Sequence, residues 1–138
     1  MKMVLGLVLS GCVATGAAAT DARTPVELPP HMHAHMLANM RDHLAAVAEV
    51  QGLAAAGQWD AAADVLERRV GMSSLPAHGA AHMAPLMPPE MQDLGTAMHR
   101  TASRVARTLQ EADPVAALAG LSELLGRCNA CHAAFRLK

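Results

Sequence analysis

The sequence RCNACHAAFRLK at residues 127–138 places two cysteines and one histidine within five positions. Within this stretch and just before it, one set of residues recurs at steps of three and four, which is the period of an amphipathic helix. The set is Leu118, Leu121, Leu125, Cys128, His132 and Phe135. Because residues three or four positions apart share one face of a helix, Cys128 and His132 are predicted to face inward with the leucines. Cys131 is expected beside them.

The composition favours helices throughout the chain. Hydrophobic residues make up 52% of it and aromatic residues only 1%, so a core of Ala, Leu, Val and Met is expected, which suits packed helices better than a sheet. Helices are predicted over about 31–56, over 60–70 with Asp60 as N-cap, from residue 90 to the EADP sequence at 111–114, and onward from an Asp113 cap. With a long connection over 71–88, they predict an all-α, antiparallel four-helix bundle.

A Cys-x-x-Cys pair has several ordinary uses. A thioredoxin-like redox pair needs the first cysteine at the start of a helix that follows a strand, and no strand pattern precedes Cys128. A structural zinc site needs four ligands, whereas the motif offers three. A disulfide between the two cysteines is the simplest alternative. Because a histidine follows the second cysteine directly, we predict one covalent haem c, with Cys128 and Cys131 as thioether links and His132 as an axial iron ligand.

Two stretches carry a family resemblance. CNACHAAFR at residues 128–136, on the last helix of an all-α chain of this length, resembles the C-terminal motif of the cytochrome c prime family. GQWDAAADVLERR at residues 57–69 is similar to the second helix of that family and its entry turn. The resemblance implies haem attached to the last helix through Cys128 and Cys131, with His132 as the proximal ligand. It places Arg136 near the haem edge; the alternative is a solvated arginine that serves the helix dipole.

Members of this family differ on the distal side of the haem. Some place a methionine of the first helix on the iron, and many leave the iron five-coordinate. The first helix here begins HMHAHMLANM at residues 31–40, so Met36 or Met40 is the candidate sixth ligand, with a slight preference for Met36 because it lies nearer the helix start. Two alternatives are that both methionines fill the core, or that His35 or His43 is the ligand.

Histidines and methionines also cluster outside the motif. His31, His33 and His35 form one group, and His78 and His82 form another at helical spacing. Neutral imidazole together with thioether suits copper, so these five histidines are a candidate second metal site if the long connection folds over the first helix. The alternative is that they are simply solvated.

The N-terminus is typical of an exported protein. Residues 1–19 are predicted to be a signal peptide, with Lys2 before a short apolar run and small residues at 17–19. The sequence LSGC at 9–12 resembles a bacterial lipobox, so a lipid anchor through Cys12 is an alternative to a soluble form. A linker over 20–30 and a haem-binding domain over 31–138 follow. The expected location is the periplasm, where haem c is attached.

The expected function is electron transfer by a monohaem cytochrome that is not an enzyme. Its redox partners are not identified by the sequence, and a homodimer is an open alternative. The net charge of −1 and the lack of a basic block give no indication of nucleic-acid binding. Two other classes stay open. One is a five-coordinate haem that binds nitric oxide or carbon monoxide, and the other is a copper-handling protein that uses the His/Met clusters.

Overall fold

The computed structural model describes residues 21–138, so the predicted signal peptide and Cys12 lie outside the described residues. The described chain is mostly helical, at 75% helix with little strand, which confirms the all-α class. Its α-helices are α1 (Pro30–Ala55), α2 (Trp59–Arg69), α3 (Ala80–Met83), α4 (Pro89–Leu109) and α5 (Pro114–Ala134). Two short strands, β1 (Thr24–Val26) and β2 (Phe135–Leu137), precede α1 and follow α5. Within residues 21–138 no helix combines the length and the apolar character that crossing a bilayer requires.

The ends of the long helices follow local sequence signals. The Asp113 side chain accepts hydrogen bonds from the backbone N–H groups of Val115 and Ala116, at 2.8 and 3.2 Å, and so caps α5 as predicted. Asp60, however, is not the N-cap of α2, because that helix already begins at Trp59. Asp60 lies in the first turn instead, where its carboxylate favours the positive end of the helix dipole.

The long connection is more ordered than the sequence indicated. It contains α3 and two 3-10 helices, Met72–Ser74 and Ala84–Leu86. Gly79 precedes α3 with φ +62°, in the left-handed region that favours glycine. The backbone therefore needs a glycine at this position to turn into α3.

The four long helices share one hydrophobic core. The helix pairs that pack closely are α1 with α2, α2 with α4, and α4 with α5, whereas α1 and α5 do not approach one another as closely. The largest fully buried apolar side chains are Val50, Leu66, Val70, Val105, Leu109 and Leu124. Trp59 and Cys128 pack, half-buried, against the edge of this core.

The buried face of α5 differs from the predicted one. Its buried residues are Ala117, Leu121 and Leu124, whereas Leu118 is 68% and Leu125 37% exposed, and His132 is exposed. The physical reason is a close approach of α4. A Cβ on Gly120 would lie 3.0 Å from Val105 Cγ2, so Ala117 and Gly120 turn toward α4, and Leu118 and Leu125 lie to the side.

The segment before α1 is joined to the segment after α5. β1 pairs in parallel with β2, with Thr24 opposite Phe135. Ion pairs flank the strands: Lys138 Nζ lies 2.6 Å from Glu27 Oε1, and Arg136 Nε lies 3.4 Å from Asp21 Oδ2. The predicted linker over 20–30 thus contains a strand, and it brings the start of α1 close to the end of α5.

Candidate functional site

The Cys-x-x-Cys-His motif occupies the last two turns of α5. Cys128 and Cys131 are half-buried and unbonded to each other, and burial raises the pKa of both thiols. Both are therefore protonated at neutral pH. The side chain of His132 is exposed, and its backbone carbonyl accepts a hydrogen bond from Arg23 Nη1 at 3.3 Å.

One flank of α1 is turned toward α2 and the other away from it. Asp42 and Glu49 mark the α2 side, because both pair with Arg69 of that helix. At about 100° per residue, Met40 and Leu44 lie about 140° or more around α1 from these carboxylates. Met40 is half-buried and Leu44 is 69% exposed, so this far flank is apolar and poorly covered.

The same reasoning locates the free flank of α5. Glu123 marks the side of α5 that meets α4, because its Oε1 lies 2.6 Å from Arg104 Nη2. Leu118, Leu125 and His132 lie about 140° or more around the helix from Glu123. These three residues, which the structure leaves exposed, therefore share the flank of α5 that does not pack on α4.

The two free flanks meet in an open groove. At one end of it lies a cavity of about 350 Å3 whose lining residues are Gln51, Ala54 and Ala55 of α1, Trp59 of α2, and Pro114, Ala117, Leu118 and Leu121 of α5. A larger cavity, of about 550 Å3, lies between α2 and α4, and neither cavity is lined by a predicted site residue. We take the groove between α1 and α5 as the site adjoining the motif, because the exposed flank of α5 that carries Leu118 continues to His132.

The groove also sets the register of α1 against α5. Ala54 and Leu118 line its cavity together. From this pair, fourteen residues back along α1 reach Met40 and fourteen residues forward along α5 reach His132. At 1.5 Å per residue both steps are about 21 Å, so the turn of α1 that contains Met40 lies near the level of His132. Met36 instead is only 6% exposed, one turn further along, on the core face of α1.

A second constellation lies in the interior. His43 of α1, His78 of the connection and His99 of α4 are 6%, 8% and 9% exposed, and each offers a ring nitrogen within 4.8 Å of the others. His43 Nε2 is 3.5 Å from His78 Nδ1. The ring centroids are 4.7 Å apart for His43 and His78, 5.6 Å for His43 and His99, and 5.5 Å for His78 and His99. We call this set the histidine cluster.

Neighbouring groups hold two of the three rings in place. His99 Nδ1 lies 2.6 Å from the carbonyl oxygen of Val70, and His78 Nδ1 lies 3.2 Å from Ser74 Oγ. Burial lowers the pKa of each imidazole below its usual value, that of His43 to about 4, where the neighbouring His78 and His99 lower it further. The histidine cluster is therefore neutral at neutral pH.

The other sequence-predicted histidines are not part of this cluster. Of the candidate second metal site, His31 and His82 are exposed and His33 is half-buried. His35 does reach the connection, since a Cβ on Gly79 would lie 3.3 Å from its Nε2. The connection thus folds over the first helix as expected, but of the five predicted histidines only His78 joins a three-residue metal-ligating group within residues 21–138.

Sequence reasoning missed His99 and assigned His43 a different role. His99 follows Met98 on the buried face of α4, and His43 lies on the buried face of α1. The signal that could have pointed to this site was one histidine on the buried face of each of two helices. Because the three members come from residues 43, 78 and 99, no local spacing links them.

Comparison with models of known protein families, with curated proteins and with solved structures finds no match to this chain. The resemblance to the cytochrome c prime family therefore depends on the sequence motif, and the haem assignment stays a prediction.

Proposed function

We propose that the protein is an exported monohaem c-type cytochrome that transfers electrons in the periplasm. In this proposal its long helices form a four-helix bundle, and haem c lies in the groove between α1 and α5. One observation carries the proposal: uncovered apolar flanks of α1 and α5 line one cavity, and the α5 flank continues to the exposed imidazole of His132, which lies beside two free thiols on the same helix. A large apolar group would cover those flanks and remove them from water.

The residues of the motif fit a covalently held haem. Cys128 and Cys131 lie on neighbouring turns of α5, and each thiol would add its S–H across one vinyl group, forming a C–S bond with no net oxidation. His132 lies on the groove flank of the same helix and would supply an imidazole nitrogen to the iron. When bound, the group would supply reversible one-electron chemistry.

The groove register favours Met40 over Met36 as the sixth ligand. Met40 is half-buried and lies near the level of His132 across the groove, whereas Met36, one turn nearer the helix start on a neighbouring part of the same face, is buried. A thioether opposite an imidazole would fill both axial positions and raise the reduction potential. Fixed ligands on both sides suit electron transfer, because the protein then needs little rearrangement between the two redox states.

Arg136 has a contact that the family resemblance does not imply. Arg136 belongs to β2 and its Nε faces Asp21, which places it in the strand pair that joins the two segments. We therefore assign Arg136 a role in holding the chain after the motif against the chain before α1. Contact with the haem edge stays an expectation of the family resemblance.

Absorption spectroscopy of the purified protein tests the proposal. We expect a haem that stays with the chain under denaturing conditions and a low-spin spectrum with a methionine-to-iron band. A high-spin spectrum with ready uptake of carbon monoxide would favour the gas-binding alternative instead. A chain that carries no covalent haem when it is exported in a host competent for cytochrome c maturation, while Cys128 and Cys131 remain intact, would refute the assignment.

A further inference from the structure

We propose that His43, His78 and His99 form a three-histidine site for a divalent first-row transition-metal ion, Zn2+ or Cu2+. The three imidazoles come from α1, from the connection and from α4, so a bound ion would tie the long connection to both helices. The site would be separate from the haem groove. It does not depend on the function proposed above.

The spacing of the ring nitrogens suits a metal ion. Zinc binds imidazole nitrogen at about 2.0–2.1 Å, so two ligands at a tetrahedral angle lie about 3.3 Å apart. His43 Nε2 and His78 Nδ1 are 3.5 Å apart, and a ring nitrogen from each of the three residues lies within 4.8 Å of the others. Small ring rotations are enough to close this set around one ion.

The surroundings orient the rings as metal sites require. A ligating histidine commonly donates its second ring N–H to a carbonyl, which fixes the tautomer and directs the other nitrogen to the metal. His99 Nδ1 is 2.6 Å from the Val70 carbonyl oxygen, so its Nε2 carries the free lone pair. The Asn39 side-chain amide donates to the backbone carbonyl of His78 at 3.2 Å and so positions the third ligand.

A bound ion would lower the free-energy cost of burying the ring nitrogens of the cluster. Polar groups removed from water cost free energy unless they are hydrogen-bonded. Among the described side chains, the hydrogen-bond partner of His43 is His78 alone, at 3.5 Å, which is a long contact. A metal ion would satisfy three inward-facing lone pairs together, and the neutral state of the buried imidazoles is the state that binds metals.

Residues of α1 separate the cluster from the haem groove. His43 lies on the core face of α1 with Asn39 and Val47, all three of which are buried. Met40 lies on the flank that faces α5, about 60° from His43 around the helix. An ion held by His43 would therefore bind without displacing a haem ligand on the groove flank.

Metal binding by the full purified protein tests the proposal. After treatment with EDTA and dialysis, the protein is titrated with Zn2+ or Cu2+ in separate arms, and bound metal is counted against protein concentration. We expect one ion for each chain in addition to any haem iron. His43→Gln and His99→Gln should each weaken binding at least tenfold, whereas the matched control His82→Gln, on the same connection but exposed, should leave it unchanged.

Two further measurements keep the result decisive. If the cluster variants do not fold, X-ray absorption at the zinc edge of the wild-type protein should show three imidazoles at about 2.0–2.1 Å. A shell of oxygen ligands would overturn the proposal. So would binding that survives His99→Gln but is lost when His31, His33 and His35 are replaced together by Gln. Metal analysis of protein purified from medium containing both ions decides between zinc and copper.

Discussion

The side-chain amide of Asn39 in α1 donates a hydrogen bond to the backbone carbonyl of His78, across 3.2 Å and in the buried interior. This contact joins the first helix to the long connection, 39 residues apart in sequence. Asn39→Ala would leave that carbonyl buried without its partner, so we expect a loss of about 1–3 kcal/mol in the free energy of unfolding. Denaturant titration measures it. The control is Arg41→Ala, an exposed residue of the same helix. Equal stability of the two variants would show that the contact contributes nothing.

Two glycines of α5 should respond in opposite ways to the same substitution. Gly126 has open space where a Cβ would lie, so Gly126→Ala should stabilise the helix by about 0.5–1 kcal/mol. A Cβ on Gly120 would lie 3.0 Å from Val105 Cγ2, and Val105 is only 2% exposed. Gly120→Ala should therefore cost about 1–3 kcal/mol. Thermal unfolding of both variants measures the difference, and a stabilised Gly120→Ala would mean that α4 and α5 pack less closely than described.

The histidine cluster should make the metal-free protein sensitive to acid. Burial lowers the pKa of His43 from 6.5 to about 4 in the folded state, so below pH 6.5 the unfolded chain binds protons that the folded chain does not. Stability should be constant above pH 6.5 and should fall as the pH drops toward 4. Urea unfolding at pH 7.5, 6.5 and 5.5 in EDTA measures the slope. His43→Gln should flatten it and His82→Gln should not; identical slopes for all three proteins would contradict this.

The identity of the sixth iron ligand gives the sharpest spectroscopic test of the proposed function. Met40→Leu should convert the oxidised spectrum from low spin to high spin and remove the methionine-to-iron band. Met36→Leu keeps a similar volume at a buried position, so it should cost less than about 1.5 kcal/mol and leave the spectrum unchanged. If Met36→Leu alone changes the spin state, the groove register is wrong. If neither variant does, the iron has no methionine ligand.

Local signals made the start of α5 predictable. Pro114 and the Asp113 carboxylate define the start of α5 within four residues, so no distant contact is needed to place it. The buried face of α5 could not be predicted in the same way, because it depends on the contact between Gly120 and Val105 of another helix. From periodicity alone, Leu118 and Leu125 were predicted to face the core, whereas in the structure they are exposed and the smaller Ala117 is buried.

The two candidate sites also differ in how far the sequence alone predicts them. Cys128, Cys131 and His132 lie within five consecutive positions, so this candidate site can be recognised from spacing alone. The histidine cluster forms only after the connection has folded between α1 and α4. Its existence therefore depends on tertiary contacts such as Asn39 with His78, which no pattern in the sequence specifies.

The core extends along α5 from Ala117 to Leu124 and ends at Cys128, and from residue 129 to 138 every residue is exposed or half-buried. Amide hydrogen exchange should therefore divide this helix at Cys128, with slow exchange before it and fast exchange after it. The turns that carry the motif can then open while the rest of the molecule stays folded. In the proposed cytochrome, an attachment enzyme would reach both thiols of an already folded chain, and the bound haem would complete the protection of the last turns.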